Sequence, residues 1–190
     1  MKFWAAPSYL FNYSFNNVAA VFYERYPNSH AKHILSEDVI SREIQGDKII
    51  TRKLIIKEGA SFLKAIPSWI SQKAAARIIP TIEESVFDRA KNTLVTYTRN
   101  VSWRNIAKME EKCFYTPEDA SRTKLERSLA VEVNYGRLSG FIEKLVMVKF
   151  RGSIKKTMAG FNEKLDEKFH KSHQGNLISS TRNRIGGNFL

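Results

Sequence analysis

The sequence predicts an α+β fold, an antiparallel sheet covered by a long C-terminal helix. Three observations carry this reading. Strand-like segments follow one another from His33 to Val133, with turn chemistry between most of them. An unbroken helical stretch runs from Leu138 to about Phe169, without proline or a turn cluster. Strands segregated from helices in this way go with antiparallel sheets, and the final helix is the element left to cover the sheet's inner face.

Each element has its own signal. Asn16 to Tyr26 carries Val18, Val21, Phe22 and Tyr26 at helical spacing and stops at Pro27-Asn28-Ser29. His33 to Ile44 and Lys48 to Ile56 read as two strands joined through Gln45-Gly46-Asp47. Gly59 to Ser68 holds Phe62, Leu63 and Ile66 among few charges and reads as an apolar surface loop. It leads into a short helix over Pro67 to Ala76, since proline suits a helix start. Strands follow over Ile78 to Phe87, Thr93 to Asn100 and Ala107 to Thr116. Thr123 to Val133 alternates most clearly. Leu125, Leu129, Val131 and Val133 face one way, interrupted by Arg127, and Lys124, Glu126, Ser128 and Glu132 face the other. The last helix would span about 45 Å. Residues 1–172 read as one domain and 173–190, rich in Gly, Asn, Ser and Arg, as a disordered tail.

Composition narrows the function. The chain has 190 residues and a net charge of +12, which suits a nucleic acid, an anionic membrane surface or an anionic ligand. A single cysteine, Cys113, argues against a disulfide-built scaffold and against a cysteine-rich zinc site. No apolar run reaches the roughly 18 residues of a membrane span, and the N-terminus lacks the apolar core of a signal peptide, so a soluble or peripheral protein is expected. There is no phosphate-binding glycine loop and no nucleophile elbow. Without a nucleophile–base constellation, no enzyme is expected. A nucleic-acid module would gather its basic residues on one face beside stacking aromatics, whereas Lys and Arg here are spread over every segment.

The last helix adds a specific pattern. Phe150, Ile154, Met158, Phe161 and Leu165 share one face, and Leu138, Ile142 and Leu145 lie nearly opposite. Continued toward the C-terminus, the second stripe carries Lys149, Ser153 and Lys156. Either the two halves of the helix pack differently and the lysines face water, or the stripe lines a site for an amphiphile, chains along the apolar half and an anionic head at the lysines.

The segment from Glu24 to Glu43, with Arg25-Tyr26-Pro27-Asn28-Ser29 followed by His33-Ile34-Leu35, resembles the opening of the PRELI-like family of intramitochondrial lipid-transfer proteins. Thr51-Arg52-Lys53-Leu54 before Lys57, Thr96 to Asn100, Lys108 to Glu111, Lys149-Phe150 and Lys155 to Phe161 keep the family's order over about residues 1–170. The resemblance implies a sheet curved around a hydrophobic lipid cavity, with a lid loop over about Glu58 to Trp69. By position it implies headgroup contacts at Arg25, His33, Lys57, Lys149, Ser153 and Lys156, and membrane contacts at Phe62, Leu63, Ile66 and Trp69. It implies transfer of phospholipid across the mitochondrial intermembrane space, with a small helical twin-cysteine protein as heterodimer partner. The cargo would be phosphatidic acid destined for cardiolipin synthesis, or phosphatidylserine as in a sister branch. No cofactor, metal or nucleic-acid partner is expected, the bound phospholipid being cargo. Ser29 replaces the family's second proline, and Ser153 stands where an asparagine is common.

Overall fold

The computed structural model describes residues 1–58, 78–102, 104–105, 107–134 and 136–170. It contains eight strands and two α-helices among these residues: β1 (Lys2–Ala5), β2 (Tyr9–Phe11), α1 (Phe15–Glu24), β3 (Ile34–Gln45), β4 (Lys48–Glu58), β5 (Ile78–Asp88), β6 (Thr93–Asn100), β7 (Ala107–Pro117), β8 (Thr123–Val133) and α2 (Ser139–Leu165). The expected loop over Gly59 to Ser68, the short helix after it and the tail from residue 173 lie outside the described residues.

The sheet is curved and antiparallel throughout, in the order β1-β8-β7-β6-β5-β4-β3, with β2 also paired to β8. Consecutive strands from β3 to β8 are neighbours, so short turns suffice between β3 and β4, β5 and β6, and β7 and β8. The β3–β4 turn closes on Gly46, whose φ of +60° is open to glycine without a side-chain clash. Both N-terminal strands lie beyond β8: Lys2 pairs with Val131 and Tyr9 with Leu125. They were not expected from sequence. At four and three residues they are too short to show a period.

Helix α1 starts at Ser14, whose hydroxyl accepts from the Asn17 amide. It ends just before Tyr26-Pro27, because the residue before a proline is pushed out of helical geometry. The peptide bond between these two residues is cis. Phe15, Val18, Ala19 and Phe22 recur at helical spacing and are buried with Phe11, Leu94, Leu125 and, from α2, Met158, Phe161 and Leu165. Burying each large side chain contributes about 1.5–3 kcal/mol.

The two halves of α2 do pack differently. Ile142 and Val146 join Leu129, Val131 and Val133 in a separate cluster, with Leu138 packed against it. Leu138 and Ile142 of the second stripe are therefore built into the core against β8 rather than forming a free path for acyl chains, while Leu145 is half-buried outside that cluster. Glu143 ties this end down: it accepts from the Val133 amide and pairs with Lys2 at 3.3 Å. Beyond that anchor, Lys149, Ser153 and Lys156 are exposed. A turn of 3-10 helix (Gly136–Leu138) precedes α2 and a π-helical turn (Asp166–His170) follows it. Among the described residues no helix is long and apolar enough to cross a membrane.

Candidate functional site

Between the inner face of the sheet, α1 and α2 lies a cavity of about 260 Å³. At roughly 30 Å³ per water, that is room for about nine waters, or for a small polar headgroup. Its lining is mixed. Phe22, Ile55, Tyr115, Leu125, Phe150, Met158 and Phe161 supply apolar surface, and Arg25, Lys57, Glu83, Glu111, Arg127 and Lys156 supply charge.

The charged residues come from the strand register. Alternation points every second side chain of a strand inward. Lys53 of β4 stands opposite Glu83 of β5, Glu83 opposite Thr98 of β6, and Thr98 opposite Glu111 of β7. A polar belt thus crosses four strands at inner positions that most sheets fill with aliphatic side chains. Arg127 of β8 sits opposite Cys113, one inner position along from Glu111, and forms a close ion pair with Glu111.

The belt is largely self-neutralised. Arg25, at the end of α1, donates to Glu83 at 2.5 Å and to the Phe22 carbonyl at 2.8 Å, with its guanidinium over the Phe22 ring. Burial works against its charge, but Glu83, then Tyr26 and Glu37, outweigh it and hold its pKa well above the usual value. Lys53 bonds the Glu37 carboxylate and the Tyr23 carbonyl, each at 3.1 Å. Burial lowers its pKa, with Glu37 pulling the other way.

Two cations in the lining are unmatched. Lys57, at the end of β4, and Lys156, on α2, form no ion pair among the described residues. His33 stands at the rim with them, and its pKa is lowered by burial, then by the repulsion of Lys57 and Lys156. It therefore takes up a proton only at a pH below its ordinary range. Lysines from two elements, both close enough to act on the same imidazole, form a focus of positive potential at one part of the cavity.

The residues expected to contact a headgroup are thus partly gathered. Arg25, His33, Lys57, Ser153 and Lys156 all line the cavity. Arg25 does so with its charge already committed to Glu83. Ser153 does so with its hydroxyl donating to the Phe150 carbonyl at 2.8 Å. Lys149, exposed like Ser153 and Lys156 on the same stripe of α2, lies outside the lining. Phe62, Leu63, Ile66 and Trp69 lie outside the described residues. Sequence reasoning missed Glu83, Glu111 and Arg127 as cavity residues. Their signal was a charge at an inner position of an alternating strand, visible at Arg127 and hidden at the other two by weaker alternation.

Burial pushes the Cys113 thiol well up, so it stays protonated and unreactive. No cluster of metal-ligating side chains occurs among the described residues.

The model of the PRELI-like family matches residues 16–172. A relative, the mitochondrial protein UPS1 of Saccharomyces cerevisiae, is 32% identical over 170 residues, covering 84% of this chain and 93% of that protein. The human PRELI domain-containing protein 1, also named mitochondrial, is 29% identical over 154 residues, covering 78% and 68%. Among solved structures, a START superfamily protein from Mycobacterium smegmatis has a TM-score of 0.53 at 16% identity, over 86% of this chain and 98% of that one. A protein from Thermus thermophilus has a TM-score of 0.60 at 16% identity, over 88% and 99%. These likenesses concern the fold.

Proposed function

The chain belongs to the PRELI-like family, and from that premise we propose that it carries a phospholipid with an anionic headgroup between mitochondrial membranes. The cargo is phosphatidic acid moved across the intermembrane space toward cardiolipin synthesis. The protein acts as a carrier, not a catalyst. A small helical twin-cysteine protein is its proposed partner, and the apolar residues Phe62, Leu63, Ile66 and Trp69 are the proposed membrane contact on sequence grounds.

The observation that supports this reading is the unmatched pair Lys57 and Lys156 at a cavity whose other charges are paired. A phosphate monoester has up to two negative charges, and sequestering it from water is costly unless cations meet it. At an effective dielectric of 20, a unit charge 4 Å away contributes about 4 kcal/mol, more than a neutral hydrogen bond gives. Two such lysines therefore favour a phosphate strongly over a neutral headgroup. The phosphate of phosphatidylserine satisfies them too, but it is a diester with one negative charge whose serine adds a neutral ammonium–carboxylate pair, whereas the monoester of phosphatidic acid brings up to two negative charges to two lysines, which favours phosphatidic acid.

The test is phospholipid transfer between liposomes by the full-length protein. Lys57→Glu and Lys156→Glu are each expected to cut phosphatidic acid transfer at least tenfold with unchanged thermal unfolding, since neither lysine supports the core. Undiminished transfer by both variants would remove the headgroup assignment. Equal transfer of the two lipids by the wild type would remove the stated preference.

A further inference from the structure

Arg127 is the residue that the proposed function leaves without a task. It breaks the apolar alternation of β8 at an inner position, and its side chain is only 9% exposed. Its Nε pairs with Glu111, and its guanidinium lies over the Phe150 ring, 4.9 Å from the centroid. Its Nη1 is buried and has no hydrogen-bond partner among the described residues, although the residue lines the cavity. A guanidinium cannot lose its proton under ordinary conditions, and it can only donate. A buried donor in this position is costly unless something in the cavity accepts from it.

The charge arithmetic of the wall says what kind of acceptor fits. Glu111 already matches the Arg127 charge, and Glu83 matches Arg25. This part of the wall has no net charge with which to hold a second anion. The unmatched cations are Lys57 and Lys156. The fitting partner for Nη1 is therefore a neutral oxygen acceptor attached to the anion that the lysines bind. In a glycerophospholipid that group is the acyl ester carbonyl, a few bonds from the phosphate.

We propose that Arg127 is a specificity-determining contact, its Nη1 donating to an acyl ester carbonyl of the cargo. This rests on the phospholipid reading above and adds to it. The phosphate selects the headgroup, and Arg127 selects the linkage of the chains, diacyl lipids over dialkyl ethers that lack the carbonyl. The stack on Phe150 and the pair with Glu111 hold the guanidinium in place before the lipid arrives, so little ordering is left for binding.

The experiment compares transfer of diacyl and di-O-alkyl phosphatidic acid of equal chain length between liposomes. The wild type is expected to favour the diacyl lipid by about tenfold, the size of a hydrogen bond to a charged donor. In Arg127→Lys the ammonium can still pair with Glu111, while the second donor nitrogen is gone. This variant should transfer the diacyl lipid more slowly and the ether lipid as before, so the ratio falls toward one. A purely structural role for Arg127 would slow both lipids alike and leave the ratio unchanged, which overturns the proposal. Equal rates in the wild type, as expected if a water satisfies Nη1, overturn it without touching the headgroup reading and need no variant to fold. Transfer of neither lipid by the wild type overturns the phospholipid reading and this proposal with it.

Discussion

Arg25 and Glu83 show how a charge can line a cavity without being free to bind there. Their separation is 2.5 Å and both side chains are buried. The mutual attraction roughly offsets what it costs to take two charges out of water, so the pair adds little net stability. Breaking it is another matter. Glu83→Ala leaves the Arg25 guanidinium buried with Glu37 4.0 Å away as its remaining carboxylate. The expected loss is about 3 kcal/mol, measured by urea unfolding. A loss below about 1 kcal/mol would mean that Arg25 turns to Glu37 or to water at little cost. Arg25 itself then reads as a positioning residue: it fixes the end of α1 against β5, with its charge already matched there.

At the scale of elements, the turn after α1 is held to α2 by a close fit. Ser29 bonds Glu163 through both its amide and its hydroxyl, and Asn28 Nδ2 donates to the Arg25 carbonyl at 2.8 Å. A Cβ on Gly160 would overlap the Asn28 carboxamide. Here glycine is required by close approach of the turn, not by its backbone angles. Gly160→Val is expected to destabilise the protein by about 1–3 kcal/mol, read as a lower midpoint of thermal unfolding. An unchanged midpoint would show that the turn can move aside. The same scale decides what could be read in advance. Strands β6 and β8 were legible to the residue; in β8, Leu125, Leu129, Val131 and Val133 alternate against charged neighbours. Helix α2 was legible as a length, and its two apolar faces as a pattern. That Ile142 packs on β8 was not, since the choice between a core and a cavity wall depends on which strand lies beneath the helix. Lys57 and Lys156 illustrate the same limit. They are 99 positions apart in sequence, and only the path of the sheet around the cavity brings them to one lining.

The whole molecule carries +12, far more positive charge than its cavity holds. Exposed and buried charge should respond differently to salt. Screening length falls from about 30 Å at 0.01 M to about 8 Å at 0.15 M, which weakens attraction to an anionic bilayer but acts much less on charges inside a cavity. Co-sedimentation with anionic vesicles is expected to drop at least tenfold over that range. Phosphatidic acid already loaded should stay with the protein through gel filtration at either salt concentration. Parallel loss of both would place the lipid on the surface. The topology has a consequence of its own, in the order of events. Lys2 and Val131 are 129 positions apart, yet they are neighbours in the sheet. Closing so long a loop costs about 2 kcal/mol more in entropy than closing a ten-residue hairpin. The meander from β3 to β8 can form by steps between consecutive strands, none longer than the 19 residues between β4 and β5, whereas β1 and β2 have nothing to pair with until β8 is in place. A chain that is threaded through a membrane or made from its N-terminus therefore keeps its first strands waiting. The edge of β8 is sealed last, by the residues that arrived first.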